Sequence, residues 1–454
     1  MAHIHDFFNL INQYLWGWPM IILLLGTHLF LTIILRFPQR KIFKAIRLSF
    51  KKDDSEGDVS QFGALATSLA ATIGTGNIVG VAIAISLGGP GAVLWCWLTG
   101  VFGIATKYGE GLLAVKYRQK TSDGTMLGGP MYALEKGLNM KWLAVLFSIF
   151  TVLASFGIGC TIQSNSIAIL LHDSYKIPTY LTAIILTTFT AAVIFFGVKG
   201  IASFCKALVP FMAIFYILGC LTLLAMNWTF VDDAIILIVK SAFNPTAAGS
   251  GFIGATVMMA ARMGISRGLF SNESGMGSAP IIAAAAKTKN PVRQALVSST
   301  GTFWDTVVVC ALTGIVLVTS IIAFPDIDHT SGAKLTNVAF SKLPFFGKHI
   351  LSIGIFTFAF STILGWSYYG ERALEYLGGK KTIPFYRFTW VVAVFAGAVM
   401  NLSLLWSFAD SMNALMAIPN LISLILLSGV LVKETRKYLW KGNLEESIEE
   451  YNQD

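Results

Sequence analysis

The chain has 454 residues, of which 55% are hydrophobic and only 13% are charged. A soluble protein of this size carries about 25% charged residues, so the composition excludes an ordinary soluble domain and indicates a polytopic membrane protein. The net charge of +9 would point to nucleic acid in a soluble protein. In a membrane protein the basic residues mark topology instead, and we expect no nucleic-acid partner.

Eleven apolar segments of the sequence are long enough to cross a lipid bilayer. We therefore predict an all-α polytopic membrane protein with eleven transmembrane helices. The predicted spans are 18–35, 62–87, 90–115, 141–171, 179–197, 201–226, 252–286, 294–323, 349–370, 386–404 and 406–432.

Basic residues are concentrated on alternate connections between these segments. Seven Lys and Arg lie between 36 and 52, whereas residues 1–17 contain none, which also argues against a cleavable signal peptide. Loops rich in Lys and Arg stay in the cytoplasm. We therefore expect a multi-pass protein of the plasma membrane with its N-terminus outside and its C-terminus inside. The stretch 36–52 is a candidate amphipathic helix at the head groups, and the polar tail 441–454 is expected to be disordered.

The second predicted span is interrupted at its centre by Gly74, Thr75, Gly76 and Asn77. Irregular backbone is tolerated at membrane depth only where protein buries it or water reaches it. A broken helix presents a positively polarised N-terminus that suits a carboxylate, and free carbonyl groups that suit a small cation. The alternative interpretation is that the glycines only allow a neighbouring helix to pack closely.

The seventh predicted span carries a second interruption. Between residues 268 and 280 it contains one Glu, one Asn, three Ser and a Pro among its glycines. Counted from the second span, the two interrupted spans are the first and sixth of ten, as expected for two inverted repeats of five helices. The predicted organisation is an extra N-terminal helix with its connection, a first repeat, an outer connection with a short surface helix, a second repeat and a cytoplasmic tail: 1–61, 62–226, 227–251, 252–433 and 434–454.

At these positions the sequence resembles the alanine or glycine:cation symporters. The likeness lies in Gly74-Thr75-Gly76-Asn77, in the run RGLFSNESGMGSAP at 267–280 and in FSTILGW at 360–366, with support from 163–166 and 303–306. The resemblance implies a leucine-transporter-type fold of 5+5 inverted helices preceded by one extra helix. It also implies sodium-coupled uptake of alanine, glycine or a similar small neutral amino acid by a monomer, with no cofactor other than the co-transported sodium ion. Some relatives use protons.

The resemblance also implies a substrate site at the two interruptions. The substrate carboxylate would meet backbone N–H groups near Gly74 and Gly76, and the ammonium group would meet carbonyls around Thr72 and at the second interruption. Trp366 would close the pocket, although it could be an interfacial aromatic residue, and Gln163 could instead be a helix–helix contact. The candidate substrate-binding residues are Thr72, Gly74, Thr75, Gly76, Asn77, Gln163, Phe270, Ser271, Asn272, Ser274, Gly275, Met276 and Trp366.

The same resemblance implies a sodium site. Ser361 and Thr362 are adjacent hydroxyls in an apolar segment, and the carbonyls of Ala70 and Ile73 would complete the ligands. The alternative is that both hydroxyls only hydrogen-bond to a carbonyl one turn earlier in their own helix.

Charged residues within the apolar segments are candidates for a gate, because a charge in the membrane is expensive and needs a partner. We expect the acids to pair with the arginines, either as a gate that breaks and reforms or as a static structural pair. Lys107 and Glu110, three residues apart, are interpreted as a pair on one helix face. The candidate gate residues are Arg262, Arg267, Glu273, Asp305 and Asp410.

Other classes of function fit less well. A channel would need a pore lined by rings of charge or carbonyl groups, which the paired interruptions do not predict. Five of the six histidines, His3, His5, His172, His329 and His349, lie at segment ends and in loops. Gly74-Thr75-Gly76 is not followed by the lysine of a phosphate-binding loop. The sequence therefore predicts a transporter rather than an enzyme.

Overall fold

The computed structural model describes residues 2–244, 256–328, 331–342, 347–400 and 403–447, and helices make up most of this part of the chain. A short hairpin pairs Gln119–Lys120 with Met126–Leu127. In chain order the helices are α1 Ala2–Leu15, α2 Trp18–Ile34, α3 Ile42–Ser49, α4 Gln61–Thr72, α5 Val81–Gly88, α6 Ala92–Lys116, α7 Pro130–Tyr132, α8 Lys141–Tyr175, α9 Thr179–Ile194, α10 Gly197–Met226, α11 Val231–Phe243, α12 Val257–Asn272, α13 Pro280–Ala283, α14 Pro291–Ala323, α15 Gly332–Ser341, α16 Gly347–Gly378, α17 Ile383–Val399, α18 Ser403–Leu426 and α19 Ser428–Thr435.

Seven of the described helices are long and apolar enough to cross a membrane, and there are eight if the bent pair α4–α5 counts as one span. The other three predicted spans correspond to α6, to the shorter apolar helix α9 and to α12 with α13. The count of eleven crossings and the inverted repeat stay predictions. Residues 245–255 lie outside the described part, so the end of the predicted connection 227–251 and the first residues of the predicted span 252–286 are not described.

The chain is broken where the sequence predicts the first interruption. Helix α4 begins at the cap residue Ser60, whose hydroxyl accepts a hydrogen bond from the Gly63 N–H at 3.1 Å, and it ends at Thr72. Ile73 is extended, with φ −74° and ψ 90°. A π-helical turn over Gly76–Gly80 then leads into α5, and the axes of the two halves differ by 53°. We call residues 73–75 the first break.

A second break, residues 273–279, separates α12 from α13. Helix α12 ends at Asn272 because Glu273 adopts a left-handed conformation with φ 54°. Gly275 and Gly277 also have positive φ, at 91° and 85°, which glycine adopts without steric strain. Pro280 then starts α13 at a first-turn position that proline tolerates.

The long helix α16 passes close to the first break. A Cβ atom added to Gly365 would lie 2.7 Å from the Ala71 Cβ and 2.8 Å from the Ala71 Cα and N atoms. Only a residue without a side chain allows α16 to approach the α4 backbone so closely. The same helix carries Ser361, Thr362 and Trp366, all of which are buried.

Two features of the fold differ from the sequence-based expectations. Helix α1 was not predicted; it packs on α18, where Asn12 Nδ2 donates to the Ser407 carbonyl at 2.7 Å.

The start of the tail is docked rather than disordered, because Glu445 accepts from Arg293 at 2.7 Å and from Lys51 at 2.8 Å. The hydrogen bond from Lys51, with a further one from Arg293, lowers the pKa of Glu445 to about 2, so its carboxylate is ionised at neutral pH. Residues 448–454 of the predicted tail lie outside the described part.

We predict that Gly365→Ala separates α16 from α4 and destabilises the protein by about 1–3 kcal/mol, since overpacking forces backbone shifts of this size. Thermal unfolding of the purified protein measures the effect. Gly429→Ala in α19 is the control, because no atom lies within 4 Å of its added Cβ. Equal unfolding midpoints for the two variants would contradict the close approach.

Candidate functional site

The first break is stabilised by the side chain of Asn77. Its Oδ1 atom accepts a hydrogen bond from the Gly74 N–H at 2.9 Å, so the residue caps one of the N–H groups that the break releases. Its Nδ2 group donates to Asp305 Oδ1 at 2.7 Å and contacts the Asp305 carbonyl at 3.2 Å. Asn77 therefore holds the shape of the break and ties it to α14.

The Asp305 carboxylate also binds the end of α12, just before the second break. Ser271 donates its hydroxyl to Asp305 Oδ2 at 2.9 Å, and Thr306 donates to the same oxygen at 2.6 Å. Asp305 is fully buried and lies in a π-helical stretch of α14. The expected pairing of Asp305 with an arginine is wrong in this structure, because neutral donors from both broken helices surround the carboxylate.

Polar atoms without partners face the first break. Among the described residues, Thr75 Oγ1 and Gln163 Oε1 are buried and make no hydrogen bond. The Gln163 amide nitrogen is already used, donating to the Ile158 carbonyl at 3.0 Å. A Cβ added to Gly74 would lie 2.6 Å from Thr362 Oγ1 and 3.6 Å from Gln163 Oε1. Because buried polar groups are almost always hydrogen-bonded, these two atoms mark a place for a small polar ligand.

The hydroxyls of Ser361 and Thr362 meet α4 directly beside the first break. Both approach the Ala70 carbonyl, at 3.0 and 3.2 Å, and both also approach the carbonyl of Phe358 in their own helix, at 2.8 and 3.0 Å. The alternative of bonding within α16 is therefore present together with the contact to α4. When each proton points to Phe358, the hydroxyl lone pairs and Ala70 O remain free to bind a cation. Ile73 is three residues further along, in the extended conformation.

The second break is supported by Glu110, which was expected only to pair with Lys107 on one helix face. Glu110 Oε1 accepts from the backbone N–H groups of Gly275 and Gly277, both at 3.0 Å, and from Asn420 at 2.7 Å. The Lys107 ammonium lies 4.0 Å from the other carboxylate oxygen, and both side chains are buried. Their position well inside an apolar segment was the available signal, since buried charges in a membrane need partners and functions.

The Glu273 carboxylate also binds neutral donors rather than an arginine. Its Oε1 accepts from the Trp366 indole N–H at 3.0 Å, and its Oε2 accepts from the Ser278 hydroxyl. Trp366 has no exposed surface and packs against Gly159, whose added Cβ would lie 2.2 Å from the Trp366 Cβ. Trp366 is therefore not an interfacial residue; it joins α16 to the second break.

A polar cavity of about 360 Å³ lies beside α1, between α12 and α18. Its lining includes Arg262, Arg267 and Asp410, the remaining candidate gate residues. Phe270 lines the cavity as well, and its ring also lies 3.2 Å from a Cβ added to Gly76. Phe270 thus stands between the cavity and the first break.

The other predicted residues serve the helix ends in this structure. Thr72 donates to the Ser68 carbonyl at 3.2 Å, and Asn272 Oδ1 accepts from the Ser274 N–H at 2.9 Å. Ser274 Oγ pairs with Thr302 Oγ1 at 2.9 Å, and Met276 is fully buried. Apart from the Asn272 contact, the described contacts of Ser274 and Gly275 are with α2, α6, α14 and α18. Among the described hydrogen bonds, none joins either residue to the first break.

The fold is similar to that of a solved structure. The structure is similar to the crystal structure of MhsT in complex with L-phenylalanine, with a TM-score of 0.57 and 15% sequence identity; the alignment covers 82% of this chain and 90% of MhsT. Together with the apolar helices, this similarity defines the helical fold of a multi-pass membrane protein.

Sequence comparison identifies the family. The chain is 50% identical over 457 residues to an uncharacterized transporter of Haemophilus influenzae, covering 99% of both chains. It is 51% identical over 439 residues to the sodium/alanine symporter AgcS of Methanococcus maripaludis, covering 95% of this chain and 96% of that protein. The sodium:alanine symporter family matches residues 1–452, and the chain belongs to this family. The resemblance stated from the sequence motifs is confirmed.

We predict that Lys107 acts as the counter-ion of Glu110. Removing one partner of a buried ion pair costs about 3–5 kcal/mol, whereas removing both is far less damaging. Lys107→Met should therefore lower the unfolding temperature, and the double variant Lys107→Met/Glu110→Gln should recover most of the loss. Lys381→Met, at an exposed lysine, is the control. A double variant less stable than Lys107→Met alone would refute the pairing.

Proposed function

We propose that this protein is a secondary active transporter that imports alanine, glycine or a similar small neutral amino acid by sodium symport through alternating access. The observation that carries the proposal is the unpartnered Gln163 Oε1 and Thr75 Oγ1 at the first break, next to the hydroxyl pair of α16. The name of the M. maripaludis relative, a sodium/alanine symporter, supports the same substrate and ion.

The first break has the chemistry to bind a zwitterion. The N–H groups that begin the second half of the broken helix, together with the Thr75 hydroxyl, suit a carboxylate. The Gln163 Oε1 atom and the carbonyl groups at the end of α4, near Thr72, suit an ammonium group. Space limits the side chain, because Gly74 faces Thr362 and Gly76 faces the Phe270 ring. A hydrogen or a methyl group is the substituent that this space favours.

Sodium would bind between α4 and α16. The hydroxyl oxygens of Ser361 and Thr362 and the carbonyls of Ala70 and Ile73 are oxygen donors of the kind that hard cations prefer. Thr362 lies against Gly74 as well. An ion at this position would fix the first break in the shape that binds the amino acid, which couples the two ligands.

Contacts between the segment before α4 and the segment after α13 would form the second gate of the transport cycle. Asp58 and Val59, before α4, donate backbone hydrogen bonds to the Ala285 carbonyl at 2.8 and 3.1 Å, and Lys287 donates to Val59 at 2.8 Å. Arg293 adds an ion pair to Asp53 at 3.3 Å. With the N-terminus outside the plasma membrane, the polar cavity beside α1 is the outer entrance and these contacts are the inner gate. Arg262, Arg267 and Asp410 would then guide or close the entrance.

Transport in liposomes tests the function. A zwitterion carried with one sodium ion moves one positive charge, worth about 2.3 kcal/mol per 100 mV, or roughly 40-fold accumulation at 1.4 kcal/mol per tenfold. We expect alanine uptake to follow an inward sodium gradient and to increase with an inside-negative potential. Uptake that ignores sodium would reject the proposed coupling, and uptake driven only by a pH gradient would establish the proton-coupled alternative.

We predict that Ser361→Ala raises the sodium concentration for half-maximal uptake about tenfold, equivalent to about 1.4 kcal/mol of lost binding free energy. The affinity for alanine at saturating sodium should change little. Ser367→Ala is the matched control on α16, because that hydroxyl donates only to the Leu364 carbonyl in its own helix. If both variants show the same sodium dependence as the unmodified protein, Ser361 is not a ligand.

A further inference from the structure

An apolar crevice of about 260 Å³ lies between α4 and α10. Phe62, Leu65 and Leu69 form one wall, and Val209 and Ile214 form the other. Trp304 and Val309 of α14 also line it, and it reaches Ile73 at the first break. Ile214 is 58% exposed and Phe50, at the other end, is 68% exposed. The crevice is therefore open to the lipid that surrounds the protein in a bilayer.

A second polar cavity, distinct from the one beside α1 and also of about 360 Å³, adjoins the Phe50 end of this crevice. The crevice and the cavity are lined by residues that are close along the chain. Phe50 and Phe62 line the crevice, and Lys52 and Ser60, each two residues away, line the cavity. The cavity is lined by four lysines and three aspartates: Lys52, Lys199, Lys206, Lys287, Asp53, Asp54 and Asp58.

Lys206 connects the two spaces. Its aliphatic stem lies across Gly63, where an added Cβ would be 2.7 Å from the Lys206 Cε and 3.4 Å from its Nζ. A side chain at 63 would displace the lysine from this position. The stem thus covers the apolar helix surface while the ammonium reaches the polar cavity, as long basic side chains do at membrane interfaces.

In the polar cavity the basic side chains outnumber the acidic ones. Asp53 is bound by Arg293 at 3.3 Å, and Asp58 accepts the Met126 N–H at 3.0 Å. Within the described part of the chain, the ammonium groups of Lys52, Lys199 and Lys206 form no ion pair within 4.0 Å. Burial raises the pKa of the Asp58 carboxyl above its usual value. An anion is the ligand that this arrangement favours.

We propose that the crevice and the polar cavity together form a binding site for an anionic phospholipid. The phosphate head group lies among Lys52, Lys199 and Lys206, and one acyl chain enters the crevice between α4 and α10 towards Ile73. An apolar space open to the bilayer is filled by hydrocarbon rather than water, and basic clusters at the membrane surface select anionic head groups. Asp53, Asp58 and Lys287 of this cavity also belong to the proposed inner gate, whereas Lys52, Lys199 and Lys206 do not, so lipid binding can be measured without transport.

Native mass spectrometry of the delipidated full-length protein in detergent tests the site, with phosphatidylglycerol and phosphatidylcholine of identical acyl chains as probes. We expect phosphatidylglycerol to bind at least tenfold more tightly. Lys52→Gln/Lys206→Gln should remove most of that preference and leave phosphatidylcholine binding unchanged. Ala213→Leu, which narrows the crevice, should weaken both lipids. Glycerol phosphate, which has no acyl chain, should not compete at equal concentration.

The matched control is Lys381→Gln, at an exposed lysine outside both spaces. Equal binding of the two lipids, or equal loss in Lys381→Gln and in Lys52→Gln/Lys206→Gln, would overturn the proposal. Competition by glycerol phosphate would also overturn it, since the crevice would then contribute nothing. The binding readout needs no transport, so this result and the liposome result can fail separately.

Discussion

The carboxylate of Asp305 joins the two broken helices. Asn77 reaches it from the first break and Ser271 from the end of α12, at 2.7 and 2.9 Å. A break inside a membrane releases backbone groups that water cannot satisfy, so each must find a partner in the protein or in a ligand. Through Asn77, Asp305 satisfies Gly74 and keeps the two helix ends adjacent. The carboxylate therefore links the backbone of the first break to the last turn of α12.

The two breaks are not equivalent, because a carboxylate of the protein itself, that of Glu110, already occupies the second. The N–H groups of Gly275 and Gly277 point at one oxygen of Glu110, in the manner of a backbone anion-binding site. This carboxylate takes the place that a ligand carboxylate would otherwise find there. The first break has no such acid; an amide oxygen from Asn77 caps a single N–H group. The difference in charge supports placing the substrate carboxylate at the first break.

Helix α16 contacts both breaks within two turns. Ser361 and Thr362 meet Ala70 beside the first break, and Trp366 donates to Glu273 at the start of the second. Gly365, between them, lets the helix lie on the backbone of α4. A cation bound by the hydroxyl pair would stabilise one position of α4 against α16. The apolar crevice borders the same half-helix through Leu65 and Leu69.

The sequence by itself determined the apolar segments, both breaks and the family, because these depend on local composition: hydrophobic runs, and glycine, serine and proline where helix cannot continue. The family resemblance also implied that Ser361 and Thr362 lie near Ala70, and both hydroxyls approach its carbonyl in the structure. Only the tertiary structure decided which buried polar groups meet. Asp305 binds a residue 228 positions away and Glu110 a residue 310 positions away, and Glu445 binds Arg293 across 152 positions. Hydrophobic pattern predicts that a charge is buried, but its partner is set by how helices distant in sequence pack together. For that reason Asp305 and Glu273 were expected to pair with arginines, and Glu110 was not recognised as the support of the second break.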